Sequence, residues 1–387
     1  MIFTLEALDA KHGDSLLLHF GAPERPRLAL IDGGPNGVWT DPLSGRLEAL
    51  RAALGDEDGT LRIELAMVSH IDDDHINGLL DMTRALLKKK DEGVHPLPWN
   101  VLQLWHNHFE DLLGDGGASA RLAQAAGKPA TASAGEVAVA LGLSECAAVV
   151  ASVNQGRKLA QDAAALSIPL NPGFGGGLVR ARGDEPKVVA TANVKWLVLG
   201  PSDARLDALR TEWQTVVAKS QTAGYGAEVA AFLDKSVFNL SSLIVLARSG
   251  ARTILLTGDA RGDDILDALR LGGLLDGGGA HFDVLKVPHH GSDRNVTREF
   301  FETVTADHYV ISADGKHDNP DVKMLRMLAE ARGTDAYTIH LTNRVPRAVN
   351  ELRKLKKGRS FRVVVRPKSR RSLLIELGDP LPDEVRP

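Results

Sequence analysis

A dense run of potential metal ligands follows directly on a buried strand. The apolar segment from Leu61 to Ser69 predicts that strand, and it stops at His70-Ile-Asp-Asp-Asp-His75. Buried aspartates repel one another unless a cation or a proton neutralises them. An exposed acidic turn, capping a helix predicted from Asn77 to Lys90, would account for Asp73 or Asp74. It leaves the two histidines unexplained, so the pattern favours a metal site at the edge of a sheet.

Two later strand ends carry side chains of the same kind. Asp259 follows the apolar run Thr253 to Leu256, and a histidine pair follows the run Val284 to Val287. Strand ends at one sheet edge share a location, so these groups could meet residues 70–75. Two divalent ions bridged by Asp259 and a hydroxide would then supply a nucleophile at neutral pH. The candidates are His70, Asp72, Asp74, His75, Asp259 and one of His289 and His290.

Composition narrows the class of protein further. A length of 387 residues predicts two or three domains or one large one, and 25% charged residues with 43% hydrophobic residues exclude disorder as the main state. The absence of an apolar run long enough for a membrane span, and of a signal pattern at the N-terminus, favours a cytoplasmic protein. The single cysteine, Cys146, excludes an internal disulfide and a multi-cysteine metal site. A metal must therefore use histidine and carboxylate.

Strands that alternate with helices, without a dinucleotide fingerprint, predict a layered α/β fold. Residues from about 115 to 190 are rich in Ala and Gly with helical periodicity, which indicates an insertion. We predict a main domain over 1–343 that contains this insertion, and a basic extension over 344–387 packed on it. In the extension, a helix should precede a hairpin formed by Phe361 to Val365 and Ser372 to Leu377.

The C-terminal extension is strongly basic. From Arg344 to Arg371, twelve lysines and arginines stand against one acid, Glu351, in a chain of net charge −4. Such a segment is either a nucleic-acid surface or a solvated face. The candidate nucleic-acid contacts are Lys354, Lys356, Lys357 and Arg359.

The motifs together resemble those of the metallo-β-lactamase superfamily. His70-x-Asp-x-Asp-His75 is similar to its His-x-His-x-Asp-His signature, with Asp72 replacing the second histidine, as in the branch that contains the C-terminal domain of the competence protein ComEC. Further segments resemble that branch in the same order along the chain. They are Leu8-Asp-Ala-Lys-His-Gly-Asp-Ser15, Leu30-Ile-Asp-Gly-Gly34, Asn239-Leu-Ser-Ser-Leu243, Leu256-Thr-Gly-Asp259 and Lys286-Val-Pro-His-His-Gly-Ser292.

The resemblance implies an αββα four-layer sandwich, in which two mixed sheets are flanked by helices, and metal-dependent hydrolysis. It implies that the metal ligands are His70, Asp72, Asp74, His75, Asp259 and His290. The candidate catalytic groups are Asp74 and His289, the latter acting on the substrate.

Some positions depart from the superfamily pattern. Asn239 and Ser312 stand where many members have histidines, which predicts a weak first metal site, and His317 lies in a variant of the last motif. His106 or His108 could restore a ligand, although packing beside Trp105 explains one of them equally well. The candidate substrate contacts are His106, His108, Asn239, Lys286, Ser292, Ser312 and His317. Lys286 is a candidate phosphate contact. Asp14 and Asp32 also follow strand-like runs, which leaves a direct role open, but turn formation explains the Asp-Gly-Gly sequence adequately.

A phosphodiester, such as DNA or RNA, suits this site best, because two cations can stabilise both the attacking and the leaving oxygen. The sequence therefore favours a phosphodiesterase or nuclease. Carboxylate in place of imidazole favours Mn²⁺ or Mg²⁺ without excluding Zn²⁺. The alternatives are a hydrolase of a small ester, lactone or amide, and a degenerate metal- or nucleic-acid-binding protein without turnover.

Overall fold

Two mixed β-sheets pack face to face in this protein. The computed structural model describes residues 1–114, 147–182, 186–218, 241–275 and 277–387. Within these residues the first sheet has the strand order β16-β1-β2-β3-β5-β7 and the second has the order β15-β14-β13-β12-β11-β10-β9-β8. The first sheet contains β1 (Ile2–Leu8), β2 (Leu16–Ala22), β3 (Arg25–Ile31), β5 (Leu65–Met67), β7 (Leu104–Trp105) and β16 (Ser372–Glu376).

The second sheet is antiparallel at one side and parallel from β11 to β15. The carboxyl ends of β11 to β15 therefore lie at the same sheet edge. Its strands are β8 (Lys187–Thr191), β9 (Val194–Gly200), β10 (Ile244–Ser249), β11 (Arg252–Leu256), β12 (Ala280–Lys286), β13 (Val304–Ile311), β14 (Thr338–Leu341) and β15 (Arg362–Val365). A separate two-stranded ladder pairs β4 (Leu61–Ile63) with β6 (Trp99–Val101).

Helices cover the outer faces of the sheets. The described helices are α1 (Ser44–Leu54), α2 (Asp73–Asp91), α3 (Phe109–Leu113), α4 (Ala147–Ala165), α5 (Asp203–Ala218), α6 (Gly262–Leu271), α7 (Arg298–Thr303), α8 (Val322–Arg332) and α9 (Pro346–Leu355). None of the helices in these described ranges is long and apolar enough to cross a bilayer.

Three apolar layers hold the four structural layers together. Alternation along β10 shows how they arise: Val245 and Ala247 enter the layer between the sheets, whereas Leu246 faces the helices of the second sheet. The third layer lies between the first sheet and helices α1, α2 and α4, and includes Leu30 and Leu79. The predicted αββα sandwich is confirmed.

Several local predictions need correction. The run from Leu61 to Ser69 forms two short strands in different sheets, β4 and β5, rather than one. Helix α2 begins at Asp73 instead of Asn77, which places the end of the 70–75 motif on a helical turn. The predicted C-terminal hairpin is wrong, because β15 pairs with β14 and β16 pairs with β1 in the other sheet.

The predicted insertion lies partly outside the described residues. Residues 115–146 of the insertion are not among the described residues. The described helix α4 packs on α2 through hydrogen bonds from Gln155 to Asn77 and from Thr83 to Asp162. Residues 187–190 form part of β8 and pair with β9. The boundary between 1–343 and 344–387 stays a prediction.

A buried ionic network ties the C-terminal segment to β1. The carboxylate of Glu6 is fully buried and accepts hydrogen bonds from Arg46 Nε (2.8 Å) and Ser372 Oγ (2.6 Å), and it lies 2.7 Å from His19 Nε2. Burial would raise the pKa of Glu6, but His19 and Arg46 outweigh it and lower the pKa to about 2. The network therefore stabilises the fold above the usual pKa of a glutamate, and this contribution is lost as the pH falls towards 2.

Glu6→Gln should destabilise the fold by about 3 to 5 kcal/mol, because the guanidinium of Arg46 stays buried without its counter-ion. The free energy of unfolding is measured by urea denaturation of metal-depleted protein. The matched control is Glu48→Gln, whose exposed partner Arg51 gives an expected loss of about 1 kcal/mol at most. Equal losses in the two variants would contradict the prediction.

Candidate metal centre

Buried histidines and aspartates meet at one edge of the sandwich, where strands of both sheets end. The apolar part of each strand is held in the core, and the polar side chains begin where the chain turns away from the sheet. The contributing residues are Asp14 before β2, Asp32 after β3, His70 after β5, Asp72, Asp74 and His75 at the start of α2, Asp259 after β11, and His289 and His290 after β12. The structure thus brings all six predicted ligands together.

His75 lies at the centre of this cluster. Its Nε2 is 3.3 Å from His290 Nε2 and 3.8 Å from Asp74 Oδ1. His290 Nε2 in turn lies 3.1 Å from Asp74 Oδ2. Two groups of ligand atoms share His75: one combines it with Asp14, Asp259 and His290, and the other combines it with His70 and Asp74.

The carboxylate of Asp259 faces imidazoles on both sides. Its Oδ1 lies 3.3 Å from His75 Nε2 and 3.6 Å from His290 Nε2. Its Oδ2 lies 3.6 Å from His70 Nε2 and 3.6 Å from His289 Nε2. Each oxygen of one buried carboxylate therefore has its own pair of nitrogen neighbours.

The tautomers of the two central histidines leave lone pairs that face each other. His75 Nδ1 lies 2.8 Å from Asp32 Oδ2, and His290 Nδ1 lies 3.1 Å from the carbonyl oxygen of Ser312. Both partners are acceptors, so each Nδ1 carries a hydrogen. When both rings are neutral, each points an Nε2 lone pair at the other across 3.3 Å, and either a proton or a bound cation satisfies this contact.

Other buried atoms of the cluster also lack hydrogen bonds. They are His70 Nε2, Asp259 Oδ1 and Asp14 Oδ1. Asp72 Oδ2 stands 3.5 Å from His70 Nε2, on the side of Asp259 Oδ2. Imidazole nitrogens together with carboxylate oxygens are suitable ligands for divalent transition metals, so the residues present fit a metal centre.

Opposite charges dominate the electrostatics of the cluster. Burial alone would lower the pKa of His290, but the carboxylates of Asp259 and Asp14 outweigh it and raise the pKa to about 10. Burial is likewise outweighed at His75, whose pKa lies well above the usual value because of Asp259 and Asp32. Conversely, burial would raise the pKa of Asp259, but the surrounding imidazoles hold it well below its usual range. Protons therefore neutralise the metal-free cluster at neutral pH.

Metal binding should strengthen with pH, because a ligand histidine with a raised pKa must first lose its proton. His290 holds a proton at pH 7 in the metal-free protein and loses it only as the pH rises through about 10. The affinity for Mn²⁺ should therefore rise about tenfold per pH unit for each proton displaced between pH 7 and 9. Calorimetric titration in buffers of different ionisation enthalpy measures both the affinity and the protons released. A pH-independent affinity without proton release would contradict this expectation.

Asp14 and Asp32 contribute more than the turns that explained them in the sequence. Asp32 accepts hydrogen bonds from Ser69 N (2.6 Å) and Ser69 Oγ (2.7 Å), besides holding His75 Nδ1. Asp14 Oδ1 lies 3.6 Å from His290 Nδ1, and the Asp14 backbone N–H donates to the carbonyl oxygen of Asp74. Asp14 lies just before a buried strand, and Asp32 lies just after one, as Asp259 does. This position at a strand end is the sequence signal that could identify both residues.

The neighbouring histidines after β12 point in different directions because the backbone turns sharply. His289 and His290 both have left-handed backbone angles, φ 46° and 53°, which non-glycine residues rarely adopt. His290 is buried, whereas the side chain of His289 is 30% exposed and its Nδ1 lies 2.7 Å from Asn295 Oδ1. Asn295 Nδ2 donates to the carbonyl oxygen of Asp259 and so fixes this amide.

The two histidines after β7 do not join the cluster. His106 Nε2 lies 3.0 Å from the carbonyl oxygen of Gly156 in α4, and burial lowers the pKa of His106 to about 4. His108 caps α3 and lies 3.0 Å from Asp111 Oδ2. The expectation that one of them restores a missing ligand is therefore wrong for the described structure.

Two further candidate substrate contacts face inwards. Lys286 is 1% exposed, and its ammonium lies 2.6 Å from Asp14 Oδ2 instead of at the solvent side. Ser312 is buried, donates from Oγ to the carbonyl oxygen of Gly13 and accepts from His290 through its own carbonyl group. The predicted substrate contacts of Lys286 and Ser312 are thus corrected to supporting roles in the cluster.

The remaining candidate substrate contacts are His317, Ser292 and Asn239. His317 is exposed, with its ring 5.7 Å from that of His12, and Ser292 is largely buried beside the histidine turn. Substrate contact by His317 and Ser292 stays a prediction. Asn239 lies outside the described residues.

The four predicted nucleic-acid contacts lie at the edge of the second sheet that is opposite the metal cluster. Helix α9 starts after the carboxyl end of β14, and residues 354–359 end that helix and lead into the amino end of β15. The ten residues of α9 span about 15 Å, and they carry the chain back from the edge that bears His290 to the opposite edge. Lys354, Lys356, Lys357 and Arg359 therefore do not border the cluster, and Arg359 donates to the carbonyl oxygens of Ala329 and Leu355.

The layered arrangement is an αββα sandwich, and the buried histidine–aspartate cluster at one sheet edge is a candidate metal centre. Among solved structures, the metallo-β-lactamase fold protein YhfI from Bacillus subtilis aligns with 11% sequence identity over 97% of this chain and 99% of that chain, with a TM-score of 0.39. No protein-family model and no curated protein matches the chain.

Proposed function

We propose that this protein is a metal-dependent phosphodiester hydrolase, a phosphodiesterase or nuclease. The observation that carries the proposal is the position of Asp259, whose two carboxylate oxygens face separate pairs of imidazoles. This arrangement is suited to a carboxylate that bridges two cations. The resemblance of the motifs to the ComEC branch supports the same class of reaction.

The proposed ligands divide into two sets around Asp259. His70 and Asp72 lie on the side of Oδ2, and Asp74, His75 and His290 lie on the side of Oδ1. Bound divalent ions would lower the pKa of a water and offset charge on the attacking and leaving oxygens of the phosphate. The oxygen of Asp72 makes the first set harder than one built only from imidazoles, which favours Mn²⁺ or Mg²⁺ beside Zn²⁺.

The protein's own residues would control the protons. Asp74 contacts His290 Nε2 at 3.1 Å and keeps 22% of its side chain exposed, so it can serve as a ligand and accept a proton from the attacking water. His289 has its Nδ1 directed at Asn295, which leaves Nε2 on the side of Asp259 and solvent. We assign to His289 Nε2 the delivery of a proton to the leaving oxygen.

A substrate panel tests the proposal. Metal-depleted protein is supplied with Mn²⁺, Mg²⁺ or Zn²⁺ and offered bis-p-nitrophenyl phosphate, DNA, RNA, a cyclic nucleotide and a carboxylic ester. We expect phosphodiester turnover that a chelator abolishes. Ester turnover without phosphodiester turnover, or bound metal with no turnover at all, would contradict the proposal.

A further inference from the structure

Basic side chains also lie at the sheet edge that carries the metal cluster. Strands β12 to β15 run parallel, with Ile311 paired with Leu341 and Leu341 paired with Val365. The loops that follow them therefore leave the same edge as the turn bearing His290. The loop after β13 carries Lys316, the loop after β14 carries Arg344, and the loop after β15 carries Lys368 and Arg370.

The first of these cations adjoins the cluster directly. Lys316 Nζ lies 3.2 Å from His12 Nε2, and the ring of His12 is 5.7 Å from that of His317. His12 belongs to the loop before β2, which is fixed on the cluster because Asp14 N donates to the carbonyl oxygen of Asp74. Lys316 is therefore held at the border of the candidate metal centre.

Hydrogen bonds and an ion pair connect that border with the loop after β15. Arg366 Nη2 donates to Asn343 Oδ1 at 2.7 Å, and Arg366 also pairs with Asp9. The N–H of Asp9 donates to the carbonyl oxygen of Arg371 at 2.8 Å. The loop before β2 and the loops after β14 and β15 thus form one continuous ledge beside the cluster.

The charges on this ledge divide into neutralised and uncompensated groups. Arg347, Arg366 and Arg371 are paired with Asp318, Asp9 and Asp41. Among the described residues of the loops after β13, β14 and β15, the cations that are exposed and make no ion pair with a carboxylate are Lys316, Arg344, Lys368 and Arg370. Lys11, in the loop before β2, is also exposed and donates to the carbonyl oxygen of Asn36. The exposed acid Asp314 stands among them and accepts from the backbone N–H of Lys316. The ledge therefore carries an excess of positive charge.

We propose that Lys316, Arg344, Lys368 and Arg370 form a track that holds the phosphates on one side of the scissile bond in a nucleic-acid strand. Neighbouring strands lie about 4.8 Å apart, so the edge from β12 to β15 spans roughly 14 Å. At a rise of about 3.4 Å per nucleotide, that length accommodates about four nucleotides. The track is too long for a small molecule with a single phosphodiester. It also gives a role to Arg344, Lys368 and Arg370, which belong to the basic C-terminal segment. The inference rests on the proposed function.

Charge removal at the two sheet edges provides the test. The track variant carries Lys316→Ala, Arg344→Ala, Lys368→Ala and Arg370→Ala. The matched control carries Arg353→Ala, Lys354→Ala, Lys356→Ala and Lys357→Ala, the same change in charge at exposed positions of α9 and the turn after it. A third variant exchanges lysine and arginine at the four track positions and so keeps the charge.

Binding of a phosphorothioate-linked oligonucleotide to the metal-loaded full chain is followed by fluorescence anisotropy at several salt concentrations. We expect the track variant to bind at least about tenfold more weakly at low salt. The slope of log K against log salt should become shallower by up to about 4 on a duplex probe, because four duplex phosphate contacts contribute about 0.9 each. The control and the charge-keeping variant should retain the wild-type affinity and slope.

Equal losses in the track variant and the control, or a wild-type affinity in the track variant, would overturn the track. Thermal unfolding of each variant establishes that it is folded. Because binding is measured without turnover, this outcome is separate from the proposed function, which fails when the wild-type protein hydrolyses no phosphodiester in the presence of metal.

Discussion

Asp259→Asn should lower phosphodiester hydrolysis by at least about 100-fold and reduce the bound metal. The substitution keeps the size of the side chain and removes the negative charge shared by two sets of imidazoles. Loss of this carboxylate would weaken the hold on cations bound at either side of it, and bound cations would supply the activated water and the charge stabilisation. Turnover of bis-p-nitrophenyl phosphate and elemental analysis of the same preparation measure the two effects.

Asp263→Asn is the matched control for this substitution. Asp263 lies four residues further on, at the start of α6, where its exposed carboxylate pairs with Arg261. The control should keep wild-type turnover and metal content. Wild-type activity and metal content in Asp259→Asn would refute the assignment of Asp259 as the bridging ligand.

His290→Ala should lose metal, whereas His289→Ala should keep metal and lose turnover by about 100-fold. His290 is buried with its Nε2 against Asp74, and its Nδ1 is held by the carbonyl oxygen of Ser312. His289 is partly exposed, and proton transfer by a positioned side chain contributes about 10² to 10⁴ in rate. Metal per chain and the turnover of a small phosphodiester separate the two roles.

A third histidine on the same stretch of chain serves as the control. His281 is exposed on β12, and His281→Ala should change neither metal content nor turnover. The opposite result for the neighbouring pair, with metal lost in His289→Ala and retained in His290→Ala, would exchange their roles.

Local patterns identify the candidate ligands that follow buried strands. Asp259 and the histidine pair follow short, mainly apolar runs, so the sequence indicates where each strand ends. A local turn accounts for Asp32, which is followed by Gly33 and Gly34, and a turn is also the simplest interpretation of Asp14 beside Gly13. Their second role depends on tertiary packing: Asp14 reaches His290 because the loop before β2 is bonded to the start of α2.

The C-terminal strands show a different limit of sequence patterns. Alternation predicts a strand but does not specify its partner, and proximity in the chain favoured a hairpin. The actual pairing depends on buried polar contacts between distant residues. Arg366 donates to the carbonyl oxygen of Thr342 beside β14, and Ser372 donates to Glu6 in β1, so the two strands enter different sheets.

Metal content is the most direct test of the candidate metal centre. Wild-type protein and the His75→Ala variant are dialysed together against Mn²⁺ or Zn²⁺, then against metal-free buffer, and analysed for bound metal per chain. His75 belongs to both groups of ligand atoms, so its loss affects the whole cluster. We expect one or two ions per wild-type chain and a clear loss in the variant; a wild-type chain that retains no more metal than His75→Ala would contradict the metal centre.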